Sequence, residues 1–259
     1  MIPRDITYLI TASDPQTWRA MRRVSSYYHQ LLSWAAYMDK FTVVTITRTG
    51  NGQIAQKWFL DGNLHREHDL PAIIHNDGSR EWYQYGRRHR DHSRPAAIFL
   101  TDGIRWYQND LKHRDHDRPA VVLDDGVRRW YQSGKKHRDH DRPAAFWDGG
   151  RKWYQDGKLH RDHDRPSICG RFRSEWYQNG EIHREHGRPA IMWVNGDRVW
   201  FRHGRIHRDH ALPARIYTDG TCDWYKNNRG QRGADRPMHI YSWGQRSWLS
   251  GSVVRSLMS

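Results

Sequence analysis

Tryptophan recurs along this chain at Trp58, Trp82, Trp106, Trp130, Trp153, Trp176, Trp200, Trp224 and Trp248, in steps of 24 residues with two steps of 23. A fixed period of this size restricts the fold to a tandem array in which each repeat is one supersecondary unit. From each of the first eight tryptophans a proline lies 13 residues on: Pro71, Pro95, Pro119, Pro143, Pro166, Pro189, Pro213 and Pro237. The Trp-to-Pro half of the repeat therefore has one geometry. All length change falls between that proline and the next tryptophan, so this half holds a tolerant turn. The turn is usually Asp-Gly, as at Asp125-Gly126 and Asp219-Gly220, and it is missing from "PSICGRFRSEW", where an irregular turn is expected.

A second turn signal follows the words Trp-Tyr-Gln, with Asn179-Gly180 the clearest. Both kinds of pair favour tight two-residue turns, whose central residues both need positive φ. A turn at Ser133-Gly134 would pair Gln132 with Lys135, Tyr131 with Lys136 and Trp130 with His137. Tryptophan and the first histidine then face each other, and the pairs should form a ladder: Trp82 with His89, Trp106 with His113, Trp130 with His137, Trp153 with His160, Trp176 with His183, and Trp200 with His207. The aromatic residue after the tryptophan faces Leu64, Leu159, Ile182, Ile206 or a long basic stem, each able to cover a ring.

Only 36% of the residues are hydrophobic and the mean hydropathy is -1.04, yet there are 14 Trp and 13 Tyr. Burial must come from aromatic side chains in a thin structure. The expected fold is mainly β: an elongated antiparallel β-hairpin array of about eight repeats over 43–250, with a tail at 251–259. Two strands per repeat at about 4.8 Å each would extend eight repeats roughly 75 Å. Residues 1–42 read as a small three-helix head. Asp14-Pro15 is a helix start, and Trp18, Met21 and Val24 share a face beyond it. Tyr28, Leu31, Leu32 and Ala35 belong to the next helix, and Ile6, Leu9 and Ile10 to a shorter one. Strands should begin near Phe41, where β-branched residues take over.

Seven repeats carry His-Arg-acid-His: His65/His68, His89/His92, His113/His116, His137/His140, His160/His163, His183/His186 and His207/His210. The eighth reads "QRGADRP", with Gln231 and Ala234 in the histidine places. Zinc needs three or four ligands at about 2 Å. Two histidines three apart on a strand lie about 10 Å apart on opposite faces, and equivalent histidines in adjacent repeats are as far apart. A structural role is expected for them, with metal binding and catalysis as the alternatives. A triad copied seven times offers no singular site, so no enzyme, catalytic residue, metal or cofactor is expected. Cys169 and Cys222 are the only cysteines and imply no disulfide framework.

The chain carries a formal charge of +14; residues 1–42 contribute +2, so the rest holds +12. Such a field favours acidic partners, nucleic acid among them. The arginines of His-Arg and Arg-Pro are flanked by Asp or Glu, so they can instead fork onto carboxylates and tie one loop to the next. The first residues carry acidic groups and no long apolar run. No signal peptide and no membrane span are expected, and with them no secretion.

The repeat word, Asp-Gly, three residues, "WYQNG", two residues, His-Arg, three residues, "RPA", resembles MORN-variant repeats of large DNA viruses of amoebae (Marseillevirus-like), over residues from about 45 to 250. "IPRDITYLITASDPQTWRAMRRVSSYYHQLL" resembles an F-box through Ile2-Pro3, Asp14-Pro15, Val24-Ser25, Tyr28 and Leu32. That resemblance implies a Skp-type adaptor bound through Ile2, Pro3, Leu9, Val24 and Leu32, with the repeats capturing a target for a cullin-type ubiquitin ligase. The alternative for the head is a cap over the first sheet edge. Together these readings imply a non-enzymatic structural protein that binds other proteins, such as a minor capsid or virion component. A substrate adaptor or a nucleic-acid-binding protein are the alternatives.

Overall fold

The computed structural model of the chain describes residues 43–48, 54–230, 237–247 and 256–257. The expected helical head, with Ile2, Pro3, Leu9, Val24 and Leu32, and the word carrying Gln231 and Ala234 lie outside the described residues. Among the described residues every regular element is a β-strand. None of them forms a helix long and apolar enough to cross a membrane. The chain divides into two compact units, Met1–Asp125 and Gly126–Ser259.

In the first unit, strand Val43–Arg48 pairs antiparallel with Ile54–Leu60 over six residue pairs. Ile54–Leu60 then pairs with Ile73–His75, which pairs with Arg80–Glu81, then Ala97–Phe99, Gly103–Arg105 and Val121–Val122. The second unit repeats the pattern from Arg128–Arg129 through Ala145–Trp147, Gly150–Lys152, Ile168–Gly170, Arg173–Glu175 and Ile191–Trp193 to Arg198–Val199. It continues through Arg215–Ile216, Cys222–Asp223 and His239–Ile240 to Arg246–Ser247. The segment 251–259, expected as a tail, supplies one more strand, Ser256–Leu257, which pairs with Arg246–Ser247.

One repeat explains the others. Ala97–Phe99 and Gly103–Arg105 form a hairpin of the ladder, and Trp106 ends it. The Trp106 N–H donates to the Ala120 carbonyl of the next repeat at 2.9 Å, so tryptophan is where the chain turns out of the ladder. Tyr107–Gln108 and Leu111–Lys112 then make a short second hairpin with Tyr107 opposite Lys112. In the second unit Tyr131 lies opposite Lys136 and Gln132 opposite Lys135, the expected register. The His137 N–H closes this hairpin on the Trp130 carbonyl at 3.3 Å. Each repeat thus holds four strands, two more than the sequence spacing implies, because the two hairpin signals build separate hairpins.

The turns differ among themselves. After Trp-Tyr-Gln both central residues have positive φ, as at Ser133-Gly134 (45° and 81°) and Asp156-Gly157 (49° and 85°). Before tryptophan, the Asp-Gly turns at Asp77 and Asp219 do not follow the expected two-residue form, whereas Asp148-Gly149 is a two-residue loop between Trp147 and Gly150. At Asp77-Gly78 only the glycine has positive φ; the loop is three residues long, with Gly78 N–H on the His75 carbonyl and His75 N–H on the Ser79 carbonyl. A type I turn closed by a left-handed glycine fits a hairpin as well as the two-residue turn does. Asp77 adds a local bond, accepting the Ser79 N–H at 2.8 Å. In "PSICGRFRSEW" the loop Gly170–Arg173 has no residue at positive φ, and its edges bond to neighbouring loops instead: Arg171 N–H to Gly149 O and Val194 N–H to Phe172 O.

A third turn was hidden in the histidine words. His92-Ser93, His140-Asp141, His163-Asp164 and His210-Ala211 all have both residues at positive φ. The Arg94 N–H closes the first of these on the Asp91 carbonyl at 3.2 Å. The second histidine of each pair is therefore a turn residue, not a strand residue.

The core is thin and made of two residue types. Every tryptophan from Trp58 to Trp224 in the series is buried, and the residue after the proline is an alanine with 0% exposure at Ala72, Ala96, Ala120, Ala144, Ala190 and Ala214. Where serine replaces it, at Ser167, the hydroxyl is matched by the Tyr177 backbone, accepting its N–H at 3.1 Å and donating to its carbonyl at 3.0 Å.

Candidate functional site

The chemistry-bearing residues gather at the joints between repeats, where each joint is a small network of the same parts. The indole carries a cation on its face. Its face is covered by the arginine after the first histidine: Arg90 sits 3.8 Å over Trp82, Arg114 3.7 Å over Trp106, Arg138 4.0 Å over Trp130, Arg161 3.8 Å over Trp153 and Arg184 3.9 Å over Trp176. The same arginine donates Nη1 to the carbonyl of its own proline, at 3.2 Å for Arg90 and Pro95. The indole Nε1–H reaches back to the preceding repeat, to the Asp69 carbonyl from Trp82 and the Asp164 carbonyl from Trp176. These carbonyls belong to the left-handed histidine turns, so each tryptophan caps the turn before it. The ladder expected of tryptophan and histidine is a backbone pairing, and the stack above it is tryptophan with arginine. A cation over a desolvated indole adds about 1–2 kcal/mol to the burial of the ring.

The first histidines join the short hairpins. His89 Nδ1 accepts the Asn109 N–H of the next repeat at 3.2 Å, and His89 Nε2 lies 3.0 Å from Asp91 Oδ1 of its own. His137 does the same with Asp156 and Asp139, His160 with Asn179 and Asp162, and His183 with His203 and Glu185. An Nδ1 that accepts fixes the tautomer with the proton on Nε2, which then donates to the carboxylate. His113 pairs likewise with Asp115 at 2.9 Å, and His207 with Asn227 and Asp209. The hydrogen bonds from these imidazoles hold the carboxyls of Asp91, Asp115, Asp139, Asp209 and Glu185 below their ordinary values. In His89, His137, His160, His183 and His207, Nδ1 is thus used between repeats and Nε2 within one, whereas His65 Nε2 is buried with no hydrogen-bond partner. Among the described residues no group of three His, Cys, Asp or Glu could hold a metal ion.

The turn aspartates complete the joint. Asp141 takes Arg161 Nε and Nη2 at 2.7 and 3.0 Å and Arg165 Nη1 at 2.5 Å. Asp164 is held by Arg184 and Arg188, and Asp69 by Arg90 and Arg94, in the same arrangement. These are the arginine–carboxylate forks anticipated between loops. They pull Asp69 down to about 2 and hold Asp141 and Asp164 below the usual range.

Buried carboxylates before the tryptophan were not anticipated. Glu81 receives Arg88 Nε at 2.8 Å, the Tyr83 hydroxyl at 3.2 Å and His75 Nε2 at 3.0 Å. Glu175 receives Arg173 Nε and the Tyr177 hydroxyl, and the Tyr177 phenol is pushed up to about 12 by burial and by that carboxylate. The signal available in the sequence was an acid directly before tryptophan in "EWYQ", which occurs only twice.

Large apolar side chains stand exposed in the short hairpins and beside the histidine turns, at Leu70, Tyr85, Leu111 and Leu212, and in the loops at the other end of each unit's ladder strands. Leu100 is 60% exposed in the first unit; Phe172, Val194 and Trp243 are 67%, 76% and 70% exposed in the second. Trp243 stacks on Tyr241 with centroids 5.0 Å apart. No family model matches the chain, and no curated protein matches it significantly.

Proposed function

We propose that this protein is a non-enzymatic scaffold that binds other proteins along its repeats, serving as a minor capsid or virion component of a large DNA virus. The observation that carries the reading is the set of large exposed apolar side chains at the loop end of the second unit, Phe172, Val194 and Trp243. At the tryptophan end, imidazole, guanidinium and carboxylate groups are matched to one another across the joints of Asp69, Asp141 and Asp164. At the loop end, large apolar side chains stand in water, the mark of a contact surface. The forked aspartates also neutralise arginines that would otherwise track a phosphate backbone, which favours protein over nucleic acid as the partner. Purification from the native source tests the proposal. Stoichiometric presence in purified particles is expected, with capture of the neighbouring subunit lost in the Phe172→Ser/Val194→Ser variant at unchanged melting temperature. Absence from particles, or undiminished capture by that variant, rejects it.

A further inference from the structure

The clamp between neighbouring repeats has a fixed design. An aspartate in the left-handed turn of one repeat is held by two arginines of the next, at Asp69, Asp141 and Asp164. In each clamp the first arginine is pinned in advance, its face on its own indole and Nη1 on its own proline carbonyl. Only its Nε–Nη2 edge is left to face the carboxylate.

One clamp in the first unit lacks its acid. Ser93 stands where Asp69 stands a repeat earlier, while Arg114 and Arg118 occupy the places of Arg90 and Arg94. Arg114 is pinned as usual, 3.7 Å over Trp106 and 3.2 Å from the Pro119 carbonyl. Its Nε is buried with no hydrogen-bond partner. Burial, and then the charge of Arg118, lower its pKa. In the second unit the same orphaned Nε appears on Arg208, where Gly187 replaces the aspartate and Leu212 the second arginine. The orphaned donor thus follows the missing acid, because the guanidinium is held by groups that do not depend on it. Arg118 remains exposed, so the edge is open from the solvent side.

We propose that the Arg114–Arg118 pair opposite Ser93 is a receptor for a carboxylate on an acidic side chain of a protein partner. The template is the chain's own: the same two arginines close on a carboxylate at Asp69, Asp141 and Asp164. Serine is shorter than aspartate and leaves that place to a group from outside. The identity of the donor rests on the scaffold reading above; the receptor itself does not.

The test follows the Nε–H signal of Arg114 by NMR in the full chain, assigned by its loss in Arg114→Lys. Sodium acetate replaces sodium chloride at constant ionic strength, and a hexaglutamate peptide is titrated separately. The signal is expected to move saturably toward those of Arg90 and Arg161 with both probes. Ser93→Asp should place it there without ligand and weaken hexaglutamate binding by roughly fivefold or more, the loss of a charge-assisted fork. Asp69→Ser should add a second hexaglutamate site on Arg90 and Arg94. A signal unmoved by both probes, equal hexaglutamate binding by wild type and Ser93→Asp, or tighter binding of inorganic phosphate than of hexaglutamate overturns the assignment. If the receptor holds but no subunit is captured from native particles, the scaffold reading fails and the receptor stands.

Discussion

Asp69 lies between two guanidiniums of the following repeat, and their hydrogen bonds lower its pKa from 3.8 to about 2. A carboxyl whose folded value is depressed stabilises the fold above its unfolded value. That contribution is lost as the pH falls through the folded value. Stability is therefore expected to be level above about pH 5 and to fall steeply from pH 4 toward pH 2. Asp69→Asn should remove about 1 kcal/mol at pH 7, discounted for the partial exposure of the pair, and flatten the acid slope. Urea titrations of both proteins across this range check it. His160 offers a second test. His160→Ala strips the Asn179 N–H and Asp162 of their partner and should cost about 1–2 kcal/mol, with His160→Asn recovering part.

At the scale of the element, the third turn of each repeat runs through two left-handed residues, a conformation that costs an ordinary side chain roughly 1 kcal/mol. Ala211, at φ 53°, has no polar side chain to offset this. Ala211→Asn is expected to raise stability by about 0.5–1 kcal/mol, since asparagine tolerates that region. The effect would be read as a higher urea midpoint at unchanged slope. The alanine after the proline is constrained in the opposite way. Ala96 is fully buried beside the turn-out of Trp82, whose N–H donates to its carbonyl at 2.8 Å. Ala96→Val should cost about 1–3 kcal/mol by overpacking. An Ala96→Val protein as stable as wild type would mean the site has slack.

Across a whole unit, each repeat touches its neighbours through the same joint, so damage should spread by nearest-neighbour contact. Trp176→Ala removes the indole that caps the Asp164 turn and carries Arg184, at an expected cost of about 3–5 kcal/mol. Hydrogen exchange should rise most at the repeats on either side of Trp176 and least toward the far strands of that unit. Uniform loss of protection throughout the unit would show that its repeats unfold as one.

The tryptophan period, the register of the short hairpins and the forks between turn aspartates and arginines were all legible in the sequence. They depend on spacing and on pairings that a local word already contains. A mainly β array follows from those alone. Other features needed the tertiary structure. The Asp-Gly turns could be two or three residues long with the same letters, and the second histidines enter a left-handed turn that a glycine announces only at Gly187. Tryptophan could have stacked on the histidine paired with it; the arginine beyond the turn takes the indole face because that turn folds it back. That Ser93 breaks a clamp is visible only once Asp69, Arg90 and Arg94 are seen together, since residues 21 and 25 apart meet through the stacking of repeats. Local geometry follows from neighbours in the chain, whereas the partners of a buried polar group are decided by which repeat lies against it.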